Sequence, residues 1–324
     1  MQAIFQREYG SPSEVLELRE IERPTPGVGE VLVRVRASSV NPADWLTLRG
    51  RPYVARPGFG FVRPKHRVPG KDVAGIVEAV GPNVTCFQRG DAVYGELPGG
   101  AYGEFAVAAA DAVAIKPANL DFAPAAAVPL AGITALQGIR DRGAVRAGQR
   151  VLVNGASGGV GTFAIQIAKS LDAHVTGVCS ARNLDLVRSI GADEVIDYTR
   201  VDFTRGPRRY HLVFDLIGNH TMSGYRRVLE PDGVYVCATG MPGGPVFGPL
   251  PYLLRVLLAS LRVGPAMRVL VARPTAADLS TLTRLIEDGR VTPVVDRFVP
   301  LAEAADALAA QGAGHARGKT VITV

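Results

Sequence analysis

The feature that most constrains the fold is an alternation of short apolar strands with amphipathic segments after Gly148. Five strand patterns fit this alternation, at residues 150–154, 174–179, 194–197, 212–216 and 233–238. Parallel strands need a crossover connection, which is usually a helix, so the pattern predicts a doubly wound parallel sheet with helices on both faces. The fold class expected for this part of the chain is therefore α/β.

A glycine-rich turn joins the first of these strands to a helix-forming segment, with the sequence Asn-Gly-Ala-Ser-Gly-Gly-Val-Gly at residues 154–161. Unpaired amides at the start of a helix attract anions, and glycines let phosphates approach the backbone closely. Within successive strand–helix units, such a turn predicts a dinucleotide site. The residues expected to hold the diphosphate are Gly155, Ser157, Gly158, Gly159, Val160 and Gly161.

The same turn satisfies the Gly-x-Ser-x-Gly pattern of a hydrolase nucleophile elbow, with Ser157 as the nucleophile and Asp296 and His315 downstream. Two features argue against this alternative. The turn follows the first strand of the alternating region rather than a middle one, and no His-Gly-Gly oxyanion segment precedes it. Labelling of Ser157 by a fluorophosphonate probe would favour the hydrolase.

The end of the second strand decides which nucleotide fits. An acidic residue there would hydrogen-bond the ribose diol of NAD and repel a 2′-phosphate, and residues 177–183 contain none. Ser180 can donate a hydrogen bond, and Arg182 can make a forked, charge-assisted contact with a phosphate monoester. The sequence therefore predicts NADPH as the cofactor, although Arg182 also fits an ordinary exposed arginine at the start of a helix.

The first third of the chain has a different pattern of short strands separated by turns. Valines at alternate positions in residues 30–36 give the period of a half-buried strand, and similar segments follow at 73–80, 90–95 and 102–107. This spacing predicts a small antiparallel barrel or sandwich.

The tail contains further strand and helix patterns, with Thr275 in the N-cap region of the first helix. They lie at residues 268–272, 275–289, 292–300, 303–311 and 320–324. Such a tail can add strands back to the first domain. At 324 residues the chain exceeds the usual limit for one hydrophobic core, so two domains are expected.

Composition narrows the class of protein. With 47% hydrophobic and 20% charged residues, the chain is typical of a globular protein. The net charge of +6 comes mainly from scattered arginines, so no nucleic-acid partner is expected. Cys86, Cys179 and Cys237 are too widely separated for a disulfide framework or paired metal ligands.

An apolar segment at residues 246–261 is short of the ~20 residues that span a bilayer, and Pro249, Pro251 and Arg255 interrupt it. It is expected to form a buried or interface helix, so no membrane span is expected. The start of the chain lacks the basic and apolar regions of a secretory signal, which favours a cytoplasmic location.

Seven motifs occur in order along nearly the whole chain, at residues 41–44, 69–75, 90–95, 128–135, 151–161, 191–198 and 314–319. Together they resemble the zinc-independent quinone oxidoreductase branch of the medium-chain dehydrogenase/reductase superfamily, which includes zeta-crystallin. The resemblance implies a GroES-like β-barrel substrate domain at residues 1–122 and 265–324, with a Rossmann NADPH-binding domain inserted at 123–264. It also implies an active site in the cleft between the domains and a homodimer.

The resemblance further implies positions around the cofactor. Tyr198 would join Ser180 and Arg182 around the 2′-phosphate, although Tyr198 fits a half-exposed core tyrosine equally well. The cofactor residues that the resemblance adds to the glycine-rich turn are Asn41, Thr134, Tyr198, Thr239 and Lys319.

Departures from the zinc-dependent relatives exclude a catalytic zinc site of their kind. Those relatives carry a cysteine near the Asn41 position, a Gly-His-Glu where this chain has Gly70-Lys71-Asp72, and four closely spaced cysteines. This chain has none of these, and His66 lies outside the ligand pattern. Without thiolate or imidazole ligands at these places, a tetrahedral zinc site cannot be assembled.

Without a Lewis acid, the substrate must already be electron-poor, as quinones and conjugated enones are. By resemblance, Asn41 is expected to bond the substrate oxygen or the nicotinamide carboxamide, and Tyr53 to donate or relay a proton. Asn41 also fits a turn residue before Pro42, and Tyr53 also fits a loop aromatic. Asp44 and Asp72 are interpreted as structural carboxylates.

The irregular segment 51–67 is long for a loop in a compact domain and is expected to roof the substrate cleft. Together with Phe247, Tyr252 and Leu253 it is expected to set the shape of that cleft. The function predicted from these observations is NADPH-dependent hydride transfer to a small quinone. Reduction of the double bond of an enal or enoyl thioester is the alternative on the same scaffold. An alternative of another class is a non-catalytic NADPH-binding redox sensor.

Overall fold

The structure is a computed structural model that describes residues 1–238, 243–314 and 317–324 and divides into two units. The first unit holds Met1–Ile133, Pro274–Gly289 and Pro293–Val324. The second unit holds Thr134–Arg273 and Arg290–Thr292. The inserted unit therefore starts and ends somewhat later in the chain than the residues 123–264 expected from the sequence.

In the described part of the chain, the first unit contains a two-stranded and a seven-stranded sheet. Its strands are β1 (Gln2–Gln6), β2 (Leu16–Glu20), β3 (Glu30–Ser39), β4 (Asp72–Val80), β5 (Ala92–Glu96), β6 (Phe105–Ala109), β7 (Val113–Ile115), and, near the chain end, β14 (Val295–Pro300) and β15 (Lys319–Thr323). The larger sheet has the order β14-β15-β3-β4-β5-β7, and β6 pairs with β3. The antiparallel pair β1–β2 was not predicted, because β2 is mostly exposed and charged.

Strand β3 is the centre of the first unit because it pairs with β4, β6 and β15. Its buried Val31, Val33 and Val35 pack in a core with residues of β4 and β5, as the alternating valines predicted. The antiparallel pairing of Val321 with Ser39 confirms that the tail adds strands to this unit.

The helices of the first unit are short, apart from two in the tail. They are α1 (Pro12–Val15), α2 (Pro42–Leu48), α3 (Arg56–Phe59), α4 (Phe122–Ala126), α5 (Pro129–Leu136, which runs into the second unit), α10 (Ala276–Glu287) and α11 (Ala304–Gly312). Thr275 caps α10 by accepting a 3.1 Å hydrogen bond from the amide of Asp278, as predicted. The segment 51–67 is not wholly irregular, since it contains α3 and a 3₁₀ turn at Tyr53–Ala55.

The second unit contains the predicted parallel sheet. Its strands are β8 (Arg150–Asn154), β9 (His174–Cys179), β10 (Glu194–Asp197), β11 (Tyr210–Asp215), β12 (Leu229–Cys237) and β13 (Ala266–Val269). They run in the order β10-β9-β8-β11-β12-β13, and every neighbouring pair is parallel. This order reverses direction after β8, so β8 and β11 form the switch point where such sheets bind ligands.

The helices of the second unit are α6 (Gly159–Ser170), α7 (Leu184–Ser189), α8 (Met222–Arg227) and α9 (Leu250–Ser260), with a π-helical segment at Gln137–Arg142. Helix α6 is buried along most of its length and follows β8 directly. The unit's core includes Leu152, Val213, Tyr225 and Tyr235. The mixed α/β fold class predicted from the sequence is confirmed.

Helix α9 accounts for the apolar segment 246–261, and its two sides differ. Val256 and Ala259 are buried against the core. The opposite side, here called the leucine face, consists of five leucines that are 45–78% exposed: Leu250, Leu254, Leu257, Leu258 and Leu261. The segment forms a helix that is buried on one side only, and its expected role as an interface helix stays a prediction. No helix within the described ranges is long and apolar enough to cross a membrane.

Candidate active site

The glycine-rich turn forms the corner between β8 and α6. Gly155 has φ +91°, a left-handed conformation that a side chain disfavours. A Cβ on Gly161 would lie 2.2 Å from the carbonyl oxygen of Gly155, so only glycine lets α6 pack this closely on the turn. Within the described residues, the amides of Gly159, Val160 and Gly161 have no acceptor. The corner therefore offers three donors to an anion at the start of a 12-residue helix.

Ser157 lies in this corner and is joined to the end of the next strand. The Asn183 side chain donates from Nδ2 to Oγ of Ser157 at 3.0 Å and to Oγ of Ser180 at 3.4 Å. Asn183 is buried and was not identified from the sequence. A nucleophile elbow needs an imidazole base at the serine, whereas the side chain bonded to Ser157 is that of Asn183, which donates to the hydroxyl. His315, the base of the hydrolase alternative, lies outside the described residues.

The residues predicted around a 2′-phosphate follow the carboxyl ends of two neighbouring parallel strands. Ser180 and the exposed Arg182 come after β9, and Tyr198 comes after β10. The amide of Tyr198 donates to the carbonyl of Cys179 at 3.2 Å, which brings the two strand ends together. The Tyr198 side chain is 47% exposed, which fits both a contact with the 2′-phosphate and a half-exposed core tyrosine, so its role stays a prediction.

A buried carboxylate, Asp215, lies at the carboxyl end of β11 beside the corner. Its Oδ1 accepts from Nδ2 of Asn154 at 2.9 Å, and its Oδ2 accepts from the Tyr235 hydroxyl at 2.6 Å. The Tyr252 hydroxyl bonds that of Tyr235 at 2.5 Å, which ties α9 to the sheet. Burial, with the nearby Asp215 charge, raises the pKa of Tyr252. Tyr252 and Leu253 are partly buried against the core of the second unit, and their expected part in shaping a substrate cleft stays a prediction.

The first unit contains a second polar cluster, almost completely removed from solvent. It joins Asn41, Asp72 and Lys319, which are 1%, 0% and 3% exposed. Lys319 donates from Nζ to Oδ1 of Asn41 at 2.5 Å and to Oδ2 of Asp72 at 3.2 Å. Nδ2 of Asn41 donates to the same Asp72 oxygen at 2.9 Å. The structure thus brings together two residues selected from the sequence and a carboxylate that was considered only structural.

Two further acids adjoin this cluster. The Asp44 carboxylate caps α2 by accepting a 2.9 Å hydrogen bond from the backbone N–H of Asn41. The Tyr102 hydroxyl donates to the same carboxylate oxygen at 3.3 Å. Burial, reinforced by the charge of Asp72, raises the pKa of Asp44 to about 6. Burial, again with Asp72 adding, raises the pKa of Glu96 to about 7. Buried groups with such shifted pKa values are typical of functional sites, and sequence patterns do not reveal them.

The remaining predicted residues are less closely connected. Tyr53 is 43% exposed, with the Arg56 guanidinium 4.6 Å from its ring centre. Among the described residues no hydrogen bond joins Tyr53 to Asn41, and the catalytic role of each stays a prediction. Thr134 begins the second unit within α5. Thr239 lies outside the described residues.

The side chains do not fit a zinc site of the dehydrogenase kind. Lys71 and Asp72 lie at the position of the Gly-His-Glu motif, and Asp72 is engaged by Lys319 and Asn41. Over the described ranges no group of three or more His, Cys, Asp or Glu residues could hold a metal ion. The three cysteines, the exposed Cys86 and the buried Cys179 and Cys237, lie within the described ranges and form no disulfide.

Comparisons with known proteins agree with this geometry. The family model described as alcohol dehydrogenase GroES-like domain matches residues 27–118, and that described as zinc-binding dehydrogenase matches residues 190–322. The chloroplast envelope quinone oxidoreductase homolog of Arabidopsis thaliana is 34% identical, over 99% of this chain and 98% of its own length. The quinone oxidoreductase structure from Coxiella burnetii has a TM-score of 0.86 at 29% identity and covers 100% of this chain and 99% of its own.

Two other relatives carry different names. The mitochondrial NAD(P)H oxidoreductase RTN4IP1 of Mus musculus is 33% identical, over 91% of this chain and 82% of its own length. The 2-methylene-furan-3-one reductase of Solanum lycopersicum is 33% identical, over 99% of this chain and 79% of its own.

The glycine-rich corner, the parallel sheet and these matches define an NAD(P)-dependent oxidoreductase with a GroES-like and a Rossmann domain. The chain belongs to the quinone oxidoreductase branch of the medium-chain dehydrogenase/reductase superfamily. The resemblance identified from the sequence motifs is confirmed, and so is the prediction of an oxidoreductase.

Proposed function

We propose that this protein is a zinc-independent reductase that uses NADPH to deliver a hydride to a small quinone. The observation that carries the proposal is the corner between β8 and α6, where three amides without acceptors lie at the switch point of a parallel sheet. Bound NADPH would supply the hydride. The corner's amides would hold its diphosphate, and the protein would supply orientation and electrostatics.

The preference for NADPH over NADH is supported by the strand ends beside the corner. Ser180, Arg182 and Tyr198 follow β9 and β10, where the 2′-position of the adenosine ribose is bound in such folds. The one carboxylate at these ends, Asp197, is the last residue of β10 and does not lie at the end of β9. Hydrogen bonds from the amide and hydroxyl of Thr199 hold its pKa below the usual range. The Arg200 guanidinium pairs with this carboxylate at 3.6 Å and partly balances its charge, so a phosphate monoester would still meet a cation and hydroxyl groups.

Zinc independence is supported by the engaged Asp72 carboxylate and by Lys71 where a metal-binding dehydrogenase carries histidine. An ammonium group at a ligand position repels a cation. A zinc ion here would lack the histidine ligand and the tetrahedral ligand set that it needs. Without a metal to polarise a carbonyl, the acceptor must be electron-poor, which favours quinones. We propose that Asn41 donates to the substrate oxygen or the carboxamide, and that Tyr53 relays a proton.

Reduction of a conjugated carbon–carbon double bond is the second candidate. It is supported by the similarity to the tomato 2-methylene-furan-3-one reductase, whose substrate is an enone by name. The test is oxidation of NADPH and NADH across a panel of quinones, enones and enoyl thioesters, after metal analysis of the purified protein. Turnover of quinones without zinc supports the proposal, and turnover of enones alone supports the second candidate. NADPH binding with no turnover would indicate a sensor.

A homodimer is also part of the proposal. Strand β13 ends the sheet order, so one of its edges has no neighbouring strand among the described residues, and α9 packs against it. Pairing of two β13 edges around a two-fold axis would continue the sheet and cover both leucine faces. Arg226 donates to the carbonyls of Ala259, Arg262 and Val263, which fixes the end of α9 and keeps the leucine face in place.

The cytoplasmic location expected from the sequence stays a prediction. The relatives named above include proteins called chloroplast envelope and mitochondrial. Fluorescence microscopy of the full chain with a C-terminal tag tests the location directly.

A further inference from the structure

The side-chain amide of Asn41 lies between two opposite charges. Its oxygen accepts from the Lys319 ammonium at 2.5 Å, and its nitrogen donates to the Asp72 carboxylate at 2.9 Å. An ammonium group can only donate hydrogen bonds and a carboxylate can only accept them. The two ends of the amide therefore cannot exchange places, since a rotated amide would face donor with donor and acceptor with acceptor.

Asp72 is itself fixed by several elements of the first unit. Its Oδ2 accepts from Oγ of Ser39 at 2.6 Å, and its Oδ1 accepts from the amide of Leu130 at 2.9 Å. The ion pair with Lys319 spans 3.2 Å, with side-chain exposures of 3% for Lys319 and 0% for Asp72. A carboxylate with this many donors in a buried site has little freedom to move.

One hydrogen of the Asn41 amide is left nearly unused. The nitrogen has two hydrogens, one of which goes to Asp72. The other has only a 3.4 Å contact with the carbonyl of Ser39, which is long for a hydrogen bond. In the proposed reaction, this second hydrogen is the one that Asn41 would donate to a substrate oxygen or to a carboxamide.

We propose that Asp72 is a positioning residue, which with Lys319 holds Asn41 in the single orientation that presents this N–H as a donor. The inference rests on the proposed role of Asn41 in the reaction. It assigns a specific task to a carboxylate whose sequence context indicated only a structural one. Asp72 acts through Asn41 and transfers no proton itself.

Kinetics of four variants test the proposal. The Asp72→Asn change removes the negative charge and one of the two acceptor oxygens that fix the Asn41 side chain, so kcat should fall about 10- to 100-fold with a smaller change in KM. The Asn41→Asp/Asp72→Asn double variant exchanges the carboxylate and the amide. This double variant keeps one negative charge beside Lys319, so its Tm should return most of the way from that of either single variant to that of the unmodified protein. Its kcat should stay as low as that of Asn41→Asp. If kcat recovers together with Tm, the role of Asp72 is structural only, and the proposal is wrong.

A matched control comes from Ser38, whose hydroxyl donates to the backbone carbonyl of Asp72 at 2.5 Å. The Ser38→Ala change removes a buried hydrogen bond to the same residue without touching its carboxylate. It should lower Tm but leave kcat within about twofold of the unmodified protein. A loss of kcat in Ser38→Ala as large as in Asp72→Asn would also contradict the proposal.

A measurement that needs no activity separates this inference from the proposed function. NMR spectra of protein labelled with ¹⁵N-asparagine show the side-chain NH₂ groups of the asparagines. The signals of Asn41 are assigned as those that are absent from the spectrum of Asn41→Asp. Their hydrogen exchange should be slow in the unmodified protein and at least about tenfold faster in Asp72→Asn. Equal exchange in both proteins overturns the positioning role, even if quinones are reduced. Slow exchange in a protein that reduces no quinone or enone contradicts the proposed function alone.

Discussion

Lys319 hydrogen-bonds the side chain of Asn41 at 2.5 Å, although 278 residues separate them in the chain. The contact joins β15 to the start of α2 within the first unit. The same ammonium pairs with Asp72, so β15 near the C-terminus and β4 meet at one buried charge pair. The interior of this unit is therefore organised around a polar cluster as well as around its valine core.

The first prediction concerns the loss of this ammonium. Lys319→Met should lower the free energy of unfolding of the first unit by about 3 kcal/mol, because the Asp72 carboxylate stays buried without its cation. Urea unfolding followed by circular dichroism measures the change. Lys65→Met, at an exposed lysine, is the control and should be nearly neutral. A loss below about 1 kcal/mol would show that the pair does not stabilise the fold.

A second prediction follows from the raised pKa of Asp44. The unfolded chain releases this proton near the usual value of 3.8, whereas the folded protein releases it near 6. The folded state therefore binds more protons between these values, and the free energy of unfolding should fall as pH rises through that window, by at most about 3 kcal/mol.

The Asp44→Asn variant tests this dependence. Its side-chain oxygen can still accept from the backbone N–H of Asn41, but the side chain does not titrate. Its urea-unfolding free energy should vary less between pH 4 and pH 6 than that of the unmodified protein. Glu17→Gln, at a half-exposed carboxylate, should keep the original slope. An unchanged slope in Asp44→Asn would rule out this residue as the cause.

A third prediction concerns the choice of nucleotide. Arg182→Ala should lower kcat/KM for NADPH about 10- to 100-fold and change that for NADH little, because a guanidinium binds a phosphate monoester more strongly than a ribose hydroxyl. Arg188 on α7 is the matched control, since it is exposed and pairs with Asp185. Equal losses with both nucleotides would mean that Arg182 does not read the 2′-phosphate.

A fourth prediction addresses the leucine face. A Leu254→Glu/Leu257→Glu variant should be monomeric by light scattering at concentrations where the unmodified protein is a dimer, because two charges would be buried in the contact. Leu18→Glu provides the comparison, since Leu18 is similarly exposed at 45% but lies on β2 of the other unit. A variant that still dimerises would place the contact elsewhere.

The parallel sheet and the corner were accessible from sequence because their signals are local. The buried strand at residues 150–154 has an apolar centre at Val151–Val153, and the glycine-rich turn follows it directly. The predicted bounds of β8, β9 and β10 match the structure, whereas β11 and β12 begin earlier than expected. Strand starts are less certain because turn residues there also fit an extended chain.

The buried carboxylates could not be predicted in the same way. The role of Asp72 depends on its ion pair with Lys319, which is 247 residues away in the chain. A local sequence pattern does not identify such a distant partner. Helix α9 shows a related limit, because both of its faces are apolar and hydropathy alone cannot tell which one is buried. Tyr53 was selected by resemblance, and only the structure shows that it lies exposed beside Arg56.

The central claim is that the corner between β8 and α6 holds a reduced pyridine nucleotide with a 2′-phosphate. Isothermal titration calorimetry of the full chain with NADPH and with NADH tests it most directly. The account predicts one NADPH per chain, bound at least about tenfold more tightly than NADH. If neither NADPH nor NADH binds, the claim that this corner holds a pyridine nucleotide is wrong.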